Sequence, residues 1–161
     1  MLTVGDSVVY PMHGAAHITG IETIENAGTK KKYYTLQVLC SDMIVSVPFD
    51  NAEKLGLRSI VKPTAIKKVA EVLKNEPDIK SIKSISWNRR LKIYLDHLKT
   101  GDILEVAKIY KLLCSLDMQK RISVGERRLL HTSEIILKGE LMLVKKIDEI
   151  AAQIWLKEQL K

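Results

Sequence analysis

The sequence predicts an α+β protein with its two kinds of structure segregated, a small antiparallel β module first and a compact helical module after it. Three observations carry that expectation. Up to about Asn51, short runs of β-branched and aromatic residues are interrupted by turn residues about every ten positions, the rhythm of a small antiparallel sheet or barrel. Beyond Asn51, apolar residues recur at spacings of three and four, which lines up one face of a helix. Charge divides at nearly the same place: residues 1–61 hold 5 Lys or Arg against 6 Asp or Glu, and residues 62–161 hold 21 against 13.

The strands come first. Ser7-Val8-Val9-Tyr10 is a short apolar run closed by Pro11 and the turn-like His13-Gly14. His17 to Glu22 alternates, with Ile18 and the later Ile24 among polar neighbours. Asn26-Ala27-Gly28-Thr29 is a turn, Tyr33 to Leu39 is rich in aromatic and β-branched residues, and Ser41-Asp42 turns the chain again into Met43-Ile44-Val45-Ser46-Val47-Pro48. Four or five strands in about 50 residues lie near the lower limit for a self-sufficient core, so this module is expected to pack against the rest of the chain or a partner.

The helical part follows a connector at Leu55-Gly56-Leu57-Arg58. Pro63 suits a first helical turn, and Ile66, Val69, Ala70 and Leu73 continue at helical spacing until Asn75-Glu76-Pro77-Asp78 ends the helix. Ser86 is a candidate N-cap for a helix carrying Leu91, Tyr94, Leu95 and Leu98, closed by Thr100-Gly101. Asp102 caps the next, with Ile103, Val106, Ala107, Tyr110 and Leu113 on one face. Ser123-Val124-Gly125-Glu126 has capping-box spacing and opens a helix with Leu129, Leu130, Ser133, Ile136 and Leu137. Gly139 marks a break or a close approach, and Leu143, Ile147, Ile150 and Ile154 outline a last helix.

Composition excludes several classes. An apolar fraction of 46% with 28% charged residues is globular rather than disordered. No apolar run approaches the roughly 20 residues of a membrane span, and the opening residues lack the blocks of a signal peptide, so a cytoplasmic location is expected. Cys40 and Cys114 stand far apart in apolar contexts, as buried free thiols of a reducing compartment do. His13, His17, His97 and His131 pair with no cysteine at zinc spacing. Neither a phosphate-cradling glycine loop nor a nucleophile elbow occurs, and Asp148, Glu149 and Glu158 read as a solvated helix face. No motif points to a catalytic centre, a cofactor or a metal.

The net charge of +7 sits in the helical part, which makes that part the candidate for a polyanionic partner; excess lysine on a solvated surface is the competing explanation. Ser86-Trp87-Asn88-Arg89-Arg90 sharpens the question. Trp87 precedes Leu91 by four, which puts core packing within reach, as for Trp155 beside Ile154. Yet Trp87 falls in a first helical turn, where Arg89 and Arg90 oppose the helix dipole by about 0.3–1 kcal/mol each. A phosphate at that helix end would offset the penalty, and Lys92 extends the cationic patch. Core and nucleic-acid contact both remain open for Trp87 on these grounds.

Four segments together resemble the CarD/CdnL family of bacterial transcription regulators. They are Val4-Gly5-Asp6-Ser7-Val8-Val9-Tyr10-Pro11-Met12-His13-Gly14-Ala15, then Val47 to Arg58 around Pro48-Phe49-Asp50-Asn51-Ala52-Glu53, then Trp87-Asn88-Arg89-Arg90, and Ser123-Val124-Gly125-Glu126-Arg127-Arg128-Leu129-Leu130. The resemblance implies a Tudor-like small antiparallel β-barrel over residues 1–55 that binds the β subunit of RNA polymerase. It also implies a compact all-α bundle of about five helices over residues 62–161 that touches promoter DNA at the upstream fork of the melted bubble. Trp87 would wedge into the minor groove; Arg89, Arg90 and Lys92 would hold neighbouring phosphates, with Arg127 at a further, commonly basic position. The protein so implied stabilises the open complex, is monomeric when bound, and is nucleoid-associated through polymerase.

Physics is consistent with that division of labour. Unstacking a base step costs a few kcal/mol, least where the duplex is already opening. A few cationic contacts bind weakly and in a salt-dependent way, and tethering to polymerase compensates by raising local concentration. Two departures stand out: positions matching Ile24 and Ser46 are often arginine in the family, and Leu91 replaces a commonly aromatic residue. Polymerase contact is therefore expected through Ile24 and the strand Met43, Ile44, Val45, Ser46 and Val47, by edge pairing rather than charge. The alternative is an adaptor whose helical module docks another protein; an enzyme has no supporting motif.

Overall fold

Five strands form one antiparallel sheet in the order β4-β3-β2-β1-β5, and six helices follow it along the chain. The computed structural model describes residues 2–161. The strands are β1 (Ser7–Tyr10), β2 (Gly14–Asn26), β3 (Thr29–Val38), β4 (Ile44–Pro48) and β5 (Arg58–Ser59), with a 3-10 turn at Phe49–Asn51. The helices are α1 (Pro63–Lys74), α2 (Ile79–Lys83), α3 (Trp87–Lys99), α4 (Ile103–Met118), α5 (Val124–Lys145) and α6 (Glu149–Gln159). The segregated α+β class holds. The sheet is open rather than a closed barrel, because β5, on the far edge from β4, is only two residues long. One helix more than expected is present: α2 has five residues, too few to show a periodic apolar pattern.

Register explains which side chains face inward. Val8, Ala16 and Val38 align across β1, β2 and β3, and Leu36 lies between Ile18 and Val45. Tyr34 pairs with Val47, and all of these but half-buried Val45 are fully buried. A bulge at Thr19 shifts the β2–β3 register between Ile18 and Gly20. Leu55–Arg58, expected as a connector, leads into the sheet at Arg58, which pairs with Val9.

A second core lies within the helices, around Val69, Leu73, Tyr94, Leu98, Leu113, Leu137 and Leu156. α5 runs unbroken through Gly139, whose glycine serves a close approach: a Cβ there would stand 3.2 Å from the Cβ of Ala15 on β2. The expected final stripe is not one helix face. The left-handed Lys146 ends α5, and Asp148 caps α6 through the Ala151 N–H, so Leu143 and Ile150 belong to different helices. Ile150 and Ile154 are 72% and 53% exposed, and Ala152 and Leu156 are buried instead. Trp155 packs half-buried against the helical core, with Lys145 over its ring.

An ion pair at the junction joins the two halves. Arg58 donates two hydrogen bonds of 2.8 Å to the fully buried Glu140 carboxylate and a third, of 2.9 Å, to the Gly101 carbonyl. The Val61 N–H donates to the same carboxylate at 2.8 Å. The β module thus packs on the helices, as its small core requires.

Candidate nucleic-acid interface

Ser86 occupies the N-cap position of α3, although its hydroxyl makes no capping bond, and the first turn of the helix carries no acidic residue. α5 begins instead with a complete capping box: the Glu126 N–H donates to Ser123 Oγ at 3.1 Å and the Ser123 N–H donates to Glu126 Oε1 at 3.2 Å. The capping box leaves the other Glu126 oxygen free to turn inward, where it accepts a hydrogen bond from the buried Tyr94 hydroxyl. Arg90 Nη2 lies 3.5 Å from Glu126 Oε1, and Arg90 Nη1 donates to the Ile85 carbonyl at 3.1 Å. Its guanidinium carbon stands 5.4 Å from the centre of the Trp87 ring. The far edge of that ring rests on Gly125, where a Cβ would lie 2.9 Å from both Cζ2 and Cη2.

The result is a connected seat running from Ser123 through Glu126 and Arg90 to Trp87. Burial works against ionisation of Glu126, but the Tyr94 hydroxyl, the Ser123 N–H and hydroxyl, and the Arg90 charge outweigh it and hold the carboxyl below its ordinary value. Burial and the same carboxylate push the Tyr94 phenol upward, so it stays a proton donor. Trp87 is 37% exposed, neither core nor free, with its ring laid against the start of α5.

The expected DNA-contacting residues divide into three situations. Arg89 and Lys92 are exposed on α3, and neither is ion-paired among the described residues. Arg90 is partly buried and spends its donors on Glu126 and the Ile85 carbonyl, so it steadies the indole rather than reaching outward. Arg127 is exposed and paired with Asp117 at 2.9 Å, a surface pair weak enough to exchange for a phosphate. Gly125, Glu126 and Tyr94 went unrecognised in the sequence as parts of the seat. The capping-box spacing marked Glu126, but nothing in a linear reading ties it to Tyr94, 32 residues away.

The sheet residues lie apart, on the β module. By register, Ile24, Ile44 and Ser46 share the face opposite Leu36 and Tyr34, and all three are exposed. Met43 is exposed just before β4, and Val45 is half-buried. Val47 is fully buried, so its side chain cannot meet a partner; only its backbone on the unpaired edge of β4 can. Three of the four histidines have local partners: the His13 ring stacks on Tyr10, His17 lies 3.2 Å from Ser7 Oγ, and His97 pairs with Glu105. Cys40 and Cys114 are free and only partly buried. Among the described residues no cluster could hold a metal ion, and no helix is long and apolar enough to cross a membrane.

Comparison with known proteins gives two family matches covering most of the chain. Residues 2–61 match the CarD-like/TRCF RID domain, and residues 68–157 match the CarD C-terminal domain. YdeB of Bacillus subtilis (strain 168), provisionally named a transcription factor, is 31% identical over 149 residues, which covers 92% of this chain and 95% of that protein.

Proposed function

The chain belongs to the CarD family, and from that premise we propose that it binds the β subunit of RNA polymerase through its sheet and stabilises the open promoter complex with Trp87. The family is one of transcription regulators that interact with RNA polymerase, not of enzymes. In this reading the protein works in the cytoplasm, as a monomer held at the nucleoid by polymerase. Ile24, Met43, Ile44 and Ser46 meet polymerase with side chains, and the free edge of β4 adds backbone pairing.

The observation that carries the proposal is the seat under Trp87. A core tryptophan would be enclosed, whereas this residue is 37% exposed, beside exposed Arg89 and Lys92. The seat limits the motion of the indole before DNA arrives, which lowers the ordering cost of a contact with a splayed base step in the minor groove. Arg89, Lys92 and, once released from Asp117, Arg127 supply phosphate contacts without reading sequence.

Trp87→Ala tests it. Aromatic–base stacking is worth about 1–3 kcal/mol. The variant should therefore shorten open-complex lifetime roughly tenfold while polymerase affinity stays unchanged, with both measured on one promoter. Equal loss of lifetime and affinity would reassign Trp87 to the fold. Fork-DNA binding that ignores salt would favour docking of a protein instead.

A further inference from the structure

Beside the Trp87 seat a cleft of about 220 Å³ opens between α2, α3 and the turn joining α4 to α5. Ile82 and Leu116 form apolar walls, Lys83, Arg90 and Arg121 line it with positive charge, and Glu126 is the only carboxylate among the lining residues. The chain builds it for a local reason. Lys120 is left-handed at φ 55°, its N–H donates to the Asp117 carbonyl at 2.9 Å, and the Arg121 N–H reaches back to the Leu116 carbonyl at 3.0 Å. That closure folds Arg121 over the end of α4. Lys83, the last residue of α2, lines the same space.

A cation at a helix C-terminus is ordinary, since it complements the dipole. Two of them meeting at one cleft with Arg90 are not explained that way. Glu126 does not neutralise them, because it is already committed to Tyr94, Ser123 and Arg90. Neither Lys83 nor Arg121 enters an ion pair among the described residues. Three cations against one carboxylate leave a positive site of a size to take a small anion, with an arginine fork and a lysine point charge able to share its oxygens.

We propose that this cleft seats one backbone phosphate of the nucleic acid whose bases meet Trp87, Lys83 and Arg121 being its ligands. The assignment rests on the reading of Trp87 given above. It makes the contact bipartite: the indole meets a base step, and the neighbouring cleft fixes the strand beside it.

The test uses the full-length protein and fork-junction DNA carrying 2-aminopurine at the opening step, with binding followed over a range of salt concentrations. Each phosphate contact contributes about 0.7–0.9 to the slope of log affinity against log salt. K83Q/R121Q should lower that slope by about this amount and, at saturating protein, keep the 2-aminopurine unstacking signal that W87A loses. A neutral methylphosphonate at the flanking phosphate should lower the wild-type slope equally and leave the variant's slope unchanged. An unchanged slope in K83Q/R121Q, with the Trp87-dependent signal intact, overturns the cleft assignment and leaves the Trp87 reading standing. Absence of any Trp87-dependent signal in the wild type overturns both. NMR signals of Lys83 and Arg121 that move with inorganic phosphate but not with fork DNA assign the cleft to a free anion and overturn the proposal.

Discussion

A single hydrogen atom at position 125 lets the indole of Trp87 lie against the start of α5. An added methyl group would meet Cζ2 and Cη2 of the ring at 2.9 Å, closer than carbon atoms pack. The ring is the far end of a movable side chain, so it gives way before the backbone does. Gly125→Ala should therefore leave global stability within about 1 kcal/mol of the wild type while lifting the indole off its seat. In a Trp155→Phe background, which leaves Trp87 as the single indole, the expected result is stronger acrylamide quenching and a red-shifted emission. Unchanged fluorescence would mean that the ring does not rest there in solution.

The capping box of α5 shows how an element acquires a second task. Its Ser-x-x-Glu spacing was legible in the sequence, as were Asp102 at the start of α4 and four of the five strands, because these signals are local. What escaped was long-range or too short to be periodic. The buried Glu126 reaches α3 only through the tertiary fold, α2 is five residues long, and the α5–α6 break depends on a left-handed lysine, Lys146, where the sequence offers no glycine. Of the candidate site, the grouping of Trp87, Arg89 and Lys92 follows from local spacing, and all three are exposed on α3. Arg90 joins them by spacing, but its contacts to Glu126 and Ile85, which no linear pattern shows, turn it inward.

A titration follows from the same element. A carboxyl held below its ordinary 4.5 in the folded chain binds protons more weakly there than in the unfolded chain. Its contribution is thus complete above the unfolded value and is lost as pH falls through the lower folded one. Glu126→Gln should cost about 2 kcal/mol at neutral pH, the worth of hydrogen bonds to a charged group, and the gap to wild type should close in acid. Denaturant unfolding at several pH values measures this. Asp78 and Glu105 are also held low but remain in both proteins, so the difference isolates Glu126.

At the scale of the molecule, the junction between sheet and helices decides how the two halves behave. Glu140 accepts from Arg58 twice and from Val61 once, with no exposure to water. Glu140→Ala strands a guanidinium that is 28% exposed and a backbone N–H, at a cost of about 3 kcal/mol. Replacing both partners, Arg58→Met with Glu140→Leu, should recover part of that loss, because no charge is left unpaired, while the Val61 N–H and the Gly101 carbonyl still lose their partners. Chemical denaturation of the three variants reads the difference. A double variant no better than the single one would show that Arg58 serves mainly through its bond to the Gly101 carbonyl.

Pro11 adds a mortise to this junction. Its ring sits against Gly56, just before the short edge strand, and against Gly101, between α3 and α4, so that a Cβ at either glycine would stand 2.7 or 3.0 Å from the proline Cγ. Such a joint turns the protein into a caliper. Its jaws, the β4 edge and the indole, keep a gauge set by carpentry and not by the length of chain between them. An extra residue inserted in the stretch between β5 and α1 would bulge outward without widening that gauge.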